Sequence, residues 1–188
     1  MKNQFEWLET KTEYREVRTS KQGDELRWLI NRETILNCET GETVTRGTLR
    51  HPGICVIVPF LEADRIVLMR QYRYAAGQAL WELPAGTLEG REETARMVAV
   101  ESPEECARRE LLEETGYRAG HIDVVGEFHS SPGMVSESFF FVRALDLVKV
   151  SDGGGVEGEN IIVHRVPMDG VKAFMDAKLL MLLGPGLV

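Results

Sequence analysis

Arg109-Glu110-Leu111-Leu112-Glu113-Glu114-Thr115-Gly116-Tyr117 is the stretch on which the reading of this chain turns. It closes a segment that carries the start and stop signals of a helix. Ser102 is a favourable N-cap, Pro103 suits the first helical position where no N–H is needed, and Glu105, three residues after the cap, completes a capping box. Thr115-Gly116 ends the segment, because glycine enters the left-handed cap conformation without a Cβ clash. A helix is therefore expected over 103–115. At about 100° per residue, Glu110, Glu113 and Glu114 share an arc of about 100° on it. Three like charges on one face repel one another, so either solvent screens them or a cation gathers them. A solvated acidic helix face is one reading. The other is a set of all-oxygen ligands on a rigid element, which suits a hard cation, Mg2+ or Mn2+. Arg109, four residues before Glu113, can hold a carboxylate in orientation.

Outward from this helix the chain alternates less regularly. Residues 24–36 and 42–50 carry β-rich patterns around Cys38-Glu39-Thr40-Gly41-Glu42, which predicts an amino-terminal hairpin or small meander within 1–50. After Pro52-Gly53, the apolar run 54–60 and its partner 65–70 read as central strands. Beyond the helix, 121–129, 137–145 and 160–166 read as strands and 169–183 as an amphipathic helix, while Gly153-Gly154-Gly155 marks a loop. The fold class is α+β, with a mixed sheet flanked by helices. The expected organisation is an amino-terminal β-rich segment, 1–50, followed by the main domain, 51–188.

With 188 residues, of which 43% are hydrophobic, the chain is sized for one core, and its net charge of −8 argues against a broad basic face for nucleic acid or anionic membrane. The charge is not evenly spread. Residues 82–117 hold ten glutamates and four arginines, whereas 1–50 hold nine acids and nine bases. The acids are therefore concentrated around the helix, where bound cations would convert them into an attractive face for a small anion. Cys38, Cys55 and Cys106 form an odd set without C-x-x-C spacing, the pattern of reduced thiols in the cytoplasm. No signal peptide and no membrane span are expected.

Upstream of the helix stands Glu82-Leu83-Pro84-Ala85-Gly86, and with it the pattern resembles the box of the Nudix hydrolases: Gly, five residues, Glu, seven residues, then Arg-Glu-apolar-x-Glu-Glu-x-Gly-apolar. Every fixed position from Arg109 to Tyr117 matches. Gly86 is followed after five residues by Glu92, and Arg109 is preceded by seven residues and Glu101, but no single glutamate satisfies both spacings. The excess of nine residues is read as an insertion in the loop around 92–101, where added length costs little closure entropy. Glu101 keeps the spacing to the helix and is preferred over Glu92 for the first glutamate position.

The resemblance implies a Nudix-like α/β/α sandwich and hydrolysis of a nucleoside diphosphate linked to another group, with Mg2+ as cofactor and Mn2+ as a substitute. Its metal positions fall on the Ala85 carbonyl, Glu110, Glu113 and Glu114. Ser130-Ser131-Pro132-Gly133-Met134-Val135-Ser136-Glu137, together with Arg70-Gln71-Tyr72-Arg73, His51-Pro52-Gly53 and Asp176-Ala177-Lys178, resembles the ADP-ribose pyrophosphatase subgroup. On that likeness Glu137 is the general base, and Glu137, Glu113 and Arg109 are the catalytic candidates. Arg46 and Arg73 are candidates for phosphate or ribose contacts, since guanidinium forks match phosphate oxygens. The alternative for Arg46 and for Arg70 is the role of an ordinary outward strand residue. Trp28 either stacks on a base or packs in the sheet, and Glu82 faces substrate or supports the metal ligands. The implied reaction splits ADP-ribose into AMP and ribose 5-phosphate. Other nucleotide sugars, GDP-mannose or ADP-glucose, and a non-catalytic ADP-ribose-binding regulator are the alternatives. A small-molecule substrate and a homodimer, with amino-terminal strands exchanged between subunits, complete the expectation.

Overall fold

A computed structural model of the chain describes residues 4–20, 23–62, 64–155 and 159–173. The elements are β1 (Phe5–Ser20), β2 (Gly23–Asn37), β3 (Thr43–Arg50), β4 (Ile54–Leu61), β5 (Arg65–Arg73), a 3-10 turn (Tyr74–Ala76), β6 (Gln78–Glu82), β7 (Ala85–Thr87), β8 (Gly90–Glu93), β9 (Arg96–Ala99), α1 (Pro103–Thr115), β10 (Tyr117–His129), β11 (Ser138–Lys149) and β12 (Ile162–Pro167). They divide between two compact units.

The first unit comprises Met1–Ile54, Thr87–Ser102 and Glu127–Phe140. Its sheet runs β1-β2-β3, and both pairings are antiparallel. In β2 every second residue, Leu29, Asn31 and Glu33, is buried, while Ile30 and Arg32 between them are exposed, as the pleat requires. A buried carboxylate needs partners, and Glu33 has them: it accepts from Arg50 Nη2 at 2.5 Å and Nε at 3.1 Å, and from Trp7 Nε1 at 3.3 Å. The predicted hairpin corresponds to β2 and β3. The long partner β1 lacks an apolar period because it is exposed along almost all of its length.

The segment expected to be an insertion loop, 92–101, is corrected by the structure: β8 and β9 form an antiparallel hairpin in register from Gly90↔Ala99 to Glu93↔Arg96. It packs on β2. Asn31 Nδ2 donates to Ala95 O at 2.6 Å, and Arg15 holds Glu92 through two hydrogen bonds of 2.8 Å.

The second unit comprises Cys55–Gly86, Pro103–Gly126 and Phe141–Val188. The seven-stranded sheet has the order β10-β11-β4-β5-β12, with β6 on β5 and β7 on β4. Four consecutive residues of β5, Ile66 to Met69, are buried, the mark of a strand covered on both faces. Ile66, Leu68 and Val166 form a cluster against which Phe60, Leu83 and Val171 pack. The helix expected over 169–183 begins at Val171, and from 174 onward, with Asp176-Ala177-Lys178, it lies outside the described residues.

Helix α1 occupies the predicted range and buries Cys106, Ala107, Leu111, Glu114 and Thr115. Its last carbonyls would be orphaned without partners. Gly154 N donates to Glu114 O at 2.8 Å, Gly155 N to Glu113 O at 3.0 Å, and Lys149 Nζ to Thr115 O at 2.8 Å. The triglycine loop is thus the cap of the acidic helix.

Candidate active site on the acidic helix

Cys106, Glu110 and Glu114 stand at i, i+4 and i+8 and form one stripe along α1. The segment Pro84-Ala85-Gly86 meets that stripe residue by residue. It is fixed to the sheet by Ile57 N donating to Pro84 O at 2.8 Å. Cys106 Sγ lies 3.6 Å from Gly86 O, the Glu110 carboxyl lies over the Gly86 Cα, and Glu114 Oε2 accepts from the Ala85 N–H at 3.0 Å. Below, Cys106 Sγ lies 3.0 Å from Cys55 Sγ of β4, both buried free cysteines.

Burial has an electrostatic consequence. Glu114 is only 5% exposed, and its carboxyl is pushed up to about 9, first by loss of solvent and then by the charge of Glu110. The Ala85 N–H opposes the rise without cancelling it. Glu110 is raised for the same first reason, with Arg109 opposing. Arg109 Nη1 lies 2.5 Å from Glu110 Oε1 and 3.6 Å from Glu113 Oε2, and Glu113 is the most exposed of the three glutamates. Arg109 therefore pairs with two carboxylates, Glu113 at the i+4 spacing and the adjacent Glu110.

The donor chemistry fits a hard cation. Two desolvated carboxylates held against a backbone turn carry unfavourable charge that a divalent ion would offset, and the site is built from oxygen donors. Glu110, Glu113, Glu114 and the Ala85 carbonyl are the groups that would hold it. Among the described residues, however, no three acidic, His or Cys groups converge closely enough to enclose an ion as the side chains stand. Arg109 instead occupies part of the carboxylate capacity.

Arg73 and Glu82, named separately from the sequence, are engaged with each other: Arg73 Nε lies 2.9 and 3.1 Å from the two Glu82 oxygens and Nη2 2.6 Å from Oε2. The Glu82 contact holds the Arg73 guanidinium above its ordinary range, and the charges of Glu114 and Glu159 add to this. Glu159 was not foreseen. It precedes β12, and its charge also raises Glu110 and Glu114. An acid that follows a glycine-rich stretch offers no sequence signal for such proximity.

Trp28, Arg46 and Glu137 belong to the first unit. Trp28 packs against Tyr14, ring centroids 5.5 Å apart. Arg46 is exposed and donates to Thr45 O at 3.3 Å. Glu137 follows the turn at Pro132-Gly133-Met134, and its Oε2 stands 3.6 Å from His51 Nδ1. Glu101 Oε2 accepts from Glu89 N at 3.0 Å, whereas Glu92 is held by Arg15.

Residues 49–178 match the family model described as the NUDIX domain. GDP-mannose pyrophosphatase of Enterobacter sp. (strain 638) is 35% identical over 124 residues, 64% of this chain and 62% of the relative. The methanol dehydrogenase activator of Bacillus methanolicus is 31% identical over 122 residues, 65% of this chain and 61% of the relative. The match thus spans about three fifths of the length of these curated relatives. A solved structure described as an ADP compounds hydrolase superposes with a TM-score of 0.67 over 97% of both chains at 20% identity, a likeness of fold. By its matched domain and its fold, the chain belongs to the Nudix family.

Proposed function

We propose that the protein hydrolyses the pyrophosphate bond of a nucleoside diphosphate sugar, with ADP-ribose as the leading substrate and AMP and ribose 5-phosphate as products. The observation that carries this reading is the stripe of Glu110 and Glu114 set against Pro84-Ala85-Gly86, two desolvated carboxyl groups that, when ionised, call for a compensating cation. Mg2+, with Mn2+ as a substitute, would neutralise phosphate charge when bound. Arg109 orients Glu110 and Glu113. Glu137 takes a proton from the water whose oxygen attacks phosphorus as the bridging P–O bond breaks. Arg73, with Glu82 fixing its guanidinium, offers a fork for a phosphate or ribose oxygen, and Arg46 and Trp28 complete the candidate substrate contacts.

GDP-mannose is the second reading, favoured by the name of the pyrophosphatase relatives. A panel of ADP-ribose, ADP-glucose and GDP-mannose, each with Mg2+, Mn2+ or EDTA, separates the two. The expected result is fastest hydrolysis of ADP-ribose and none in EDTA. An ADP-ribose rate no higher than the others removes the specific assignment, and binding of ADP-ribose without cleavage of any substrate replaces the enzyme by a regulator. A cytoplasmic homodimer with an exchanged amino-terminal segment, 1–50, acting on small molecules, with neither nucleic acid nor membrane as partner, accompanies the proposal. Light scattering that returned the 21.2 kDa monomer would refute the dimer.

A further inference from the structure

The loop that carries Glu137 is fastened to the end of β3 and to the turn after it. Leu49 N donates to Met134 O and Ser136 N to Leu49 O, both at 2.9 Å, and His51 N donates to Ser136 Oγ at 3.0 Å. The turn His51-Pro52-Gly53 is itself wedged in place. Leu88 N donates to Gly53 O at 3.0 Å, and Pro52 packs so closely on Gly90 that a Cβ there would lie 2.6 Å from the proline ring.

Within this wedge the His51 side chain is only 10% exposed. Its Nδ1 accepts from the Gly53 N–H at 3.1 Å, and the same nitrogen stands 3.6 Å from Glu137 Oε2. A ring nitrogen that accepts carries no proton, so the imidazole is neutral with its proton on Nε2. Among the described residues, two charged groups face it: Glu137 from the loop and Arg27 from β2, whose guanidinium donates to Thr87 Oγ1 and Glu25. Burial lowers the imidazole below its ordinary range, Glu137 opposes that shift, and Arg27 adds to it.

We propose that His51 is a positioning residue for Glu137: the neutral ring, pinned by Gly53, sets where the carboxylate stands and leaves its oxygens free to accept the proton of the attacking water. The inference rests on the reading of Glu137 as general base. Protonation of His51 ends the arrangement. Nδ1 then gains a proton, loses the Gly53 hydrogen bond and donates to Glu137 Oε2, occupying a lone pair the water proton would use.

The test is kcat and KM for ADP-ribose between pH 5 and 9 in the wild type, His51→Asn, His51→Ala and Glu137→Gln, with Mg2+ saturating. Asparagine can offer Oδ1 to the Gly53 N–H but does not titrate. His51→Ala is expected to lower kcat at least about tenfold with KM little changed, whereas His51→Asn recovers most of kcat at pH 8 and loses the acid-side fall of the wild type. Should the alanine variant fail to fold, the asparagine profile decides alone. An acid limb unchanged in His51→Asn, or an unaltered kcat in folded His51→Ala, overturns the role of His51 while leaving Glu137 as base. An unaltered kcat in Glu137→Gln removes the base reading itself, and this inference with it.

Discussion

The Glu110 carboxyl fills the space that a side chain on residue 86 would need: a Cβ built on Gly86 would lie 1.9 Å from both Cδ and Oε1 of Glu110. The glycine of the family box is therefore required here by close approach and not by backbone conformation. Because the obstructing atoms are the end of a flexible side chain, Gly86→Ala can be accommodated by swinging Glu110 away. The expected outcome is a melting temperature within a few degrees of the wild type and a loss of hydrolysis of at least about tenfold. Thermal unfolding and turnover measured on the same sample check this. A variant as active as the wild type would mean that Glu110 has no fixed role.

Glu114 gives the metal-free protein an unusual pH dependence. Its carboxyl sits at about 9 in the fold and near 4 in an unfolded chain, so between these values the folded state binds the extra proton. Stability accordingly falls as pH rises through that window, by an amount on the order of a few kcal/mol. Below pH 4 the contribution vanishes. Glu114→Gln should flatten the curve of melting temperature against pH in EDTA, because the amide is neutral throughout. Mg2+ should raise the melting temperature most at pH 8 to 9, where it replaces a proton as the compensating charge. Equal Mg2+ effects at pH 5 and pH 9 would argue that the ion binds elsewhere.

The helix and its carboxylate spacing were legible because capping and the 3.6-residue period are local properties, fully written in Ser102 to Gly116. The central strands β4 and β5 were legible for the same reason, as runs of apolar residues. β1 was not, since its side chains are exposed and its pairing depends on β2. The hairpin β8–β9 falls in the segment that the excess spacing of the box marks as an inserted loop, and its turn, Thr94-Ala95, carries neither the glycine nor the asparagine that would signal a hairpin. Which side chains pair is still less local. Arg73 and Glu82 were each singled out, but their mutual ion pair depends on β5 lying beside β6, and the approach of Glu159 depends on the loop before β12.

The triglycine loop makes a separate prediction. Gly153 has φ +71°, and a Cβ there would lie 2.5 Å from the Thr115 carbonyl carbon and 2.6 Å from Gly116 N. Backbone atoms cannot step aside cheaply, so Gly153→Ala must distort the cap of α1. A loss of about 2 kcal/mol or more is expected, with reduced turnover because Glu113 and Glu114 lie in the last turn. Gly41→Ala is the control. Gly41 has φ +75° but nothing within 4 Å, so only the left-handed backbone cost of about 1 kcal/mol applies. Urea unfolding of both variants distinguishes the clash from the conformation. Equal losses would remove the cap argument.

Thr94 and Ala95 hold φ values of +51° and +58° at the two-residue turn of the β8–β9 hairpin. Both central positions are left-handed, as a type I′ turn demands, yet neither residue is suited to it, and threonine is the worse because of its β-branch. The conformation is retained by contacts from outside the turn: Asn31 Nδ2 on Ala95 O and Arg15 on Glu92. Replacing the pair by Asn-Gly should keep those backbone contacts and relieve the strain. A gain of about 1 kcal/mol would raise the melting temperature by roughly 2–4 °C in a chain of this size. Turnover should be unchanged, because neither side chain is among the candidate catalytic or substrate contacts. A lower melting temperature would show that the Thr94 side chain itself holds the hairpin, and that the tension in its backbone is offset by packing that asparagine cannot supply.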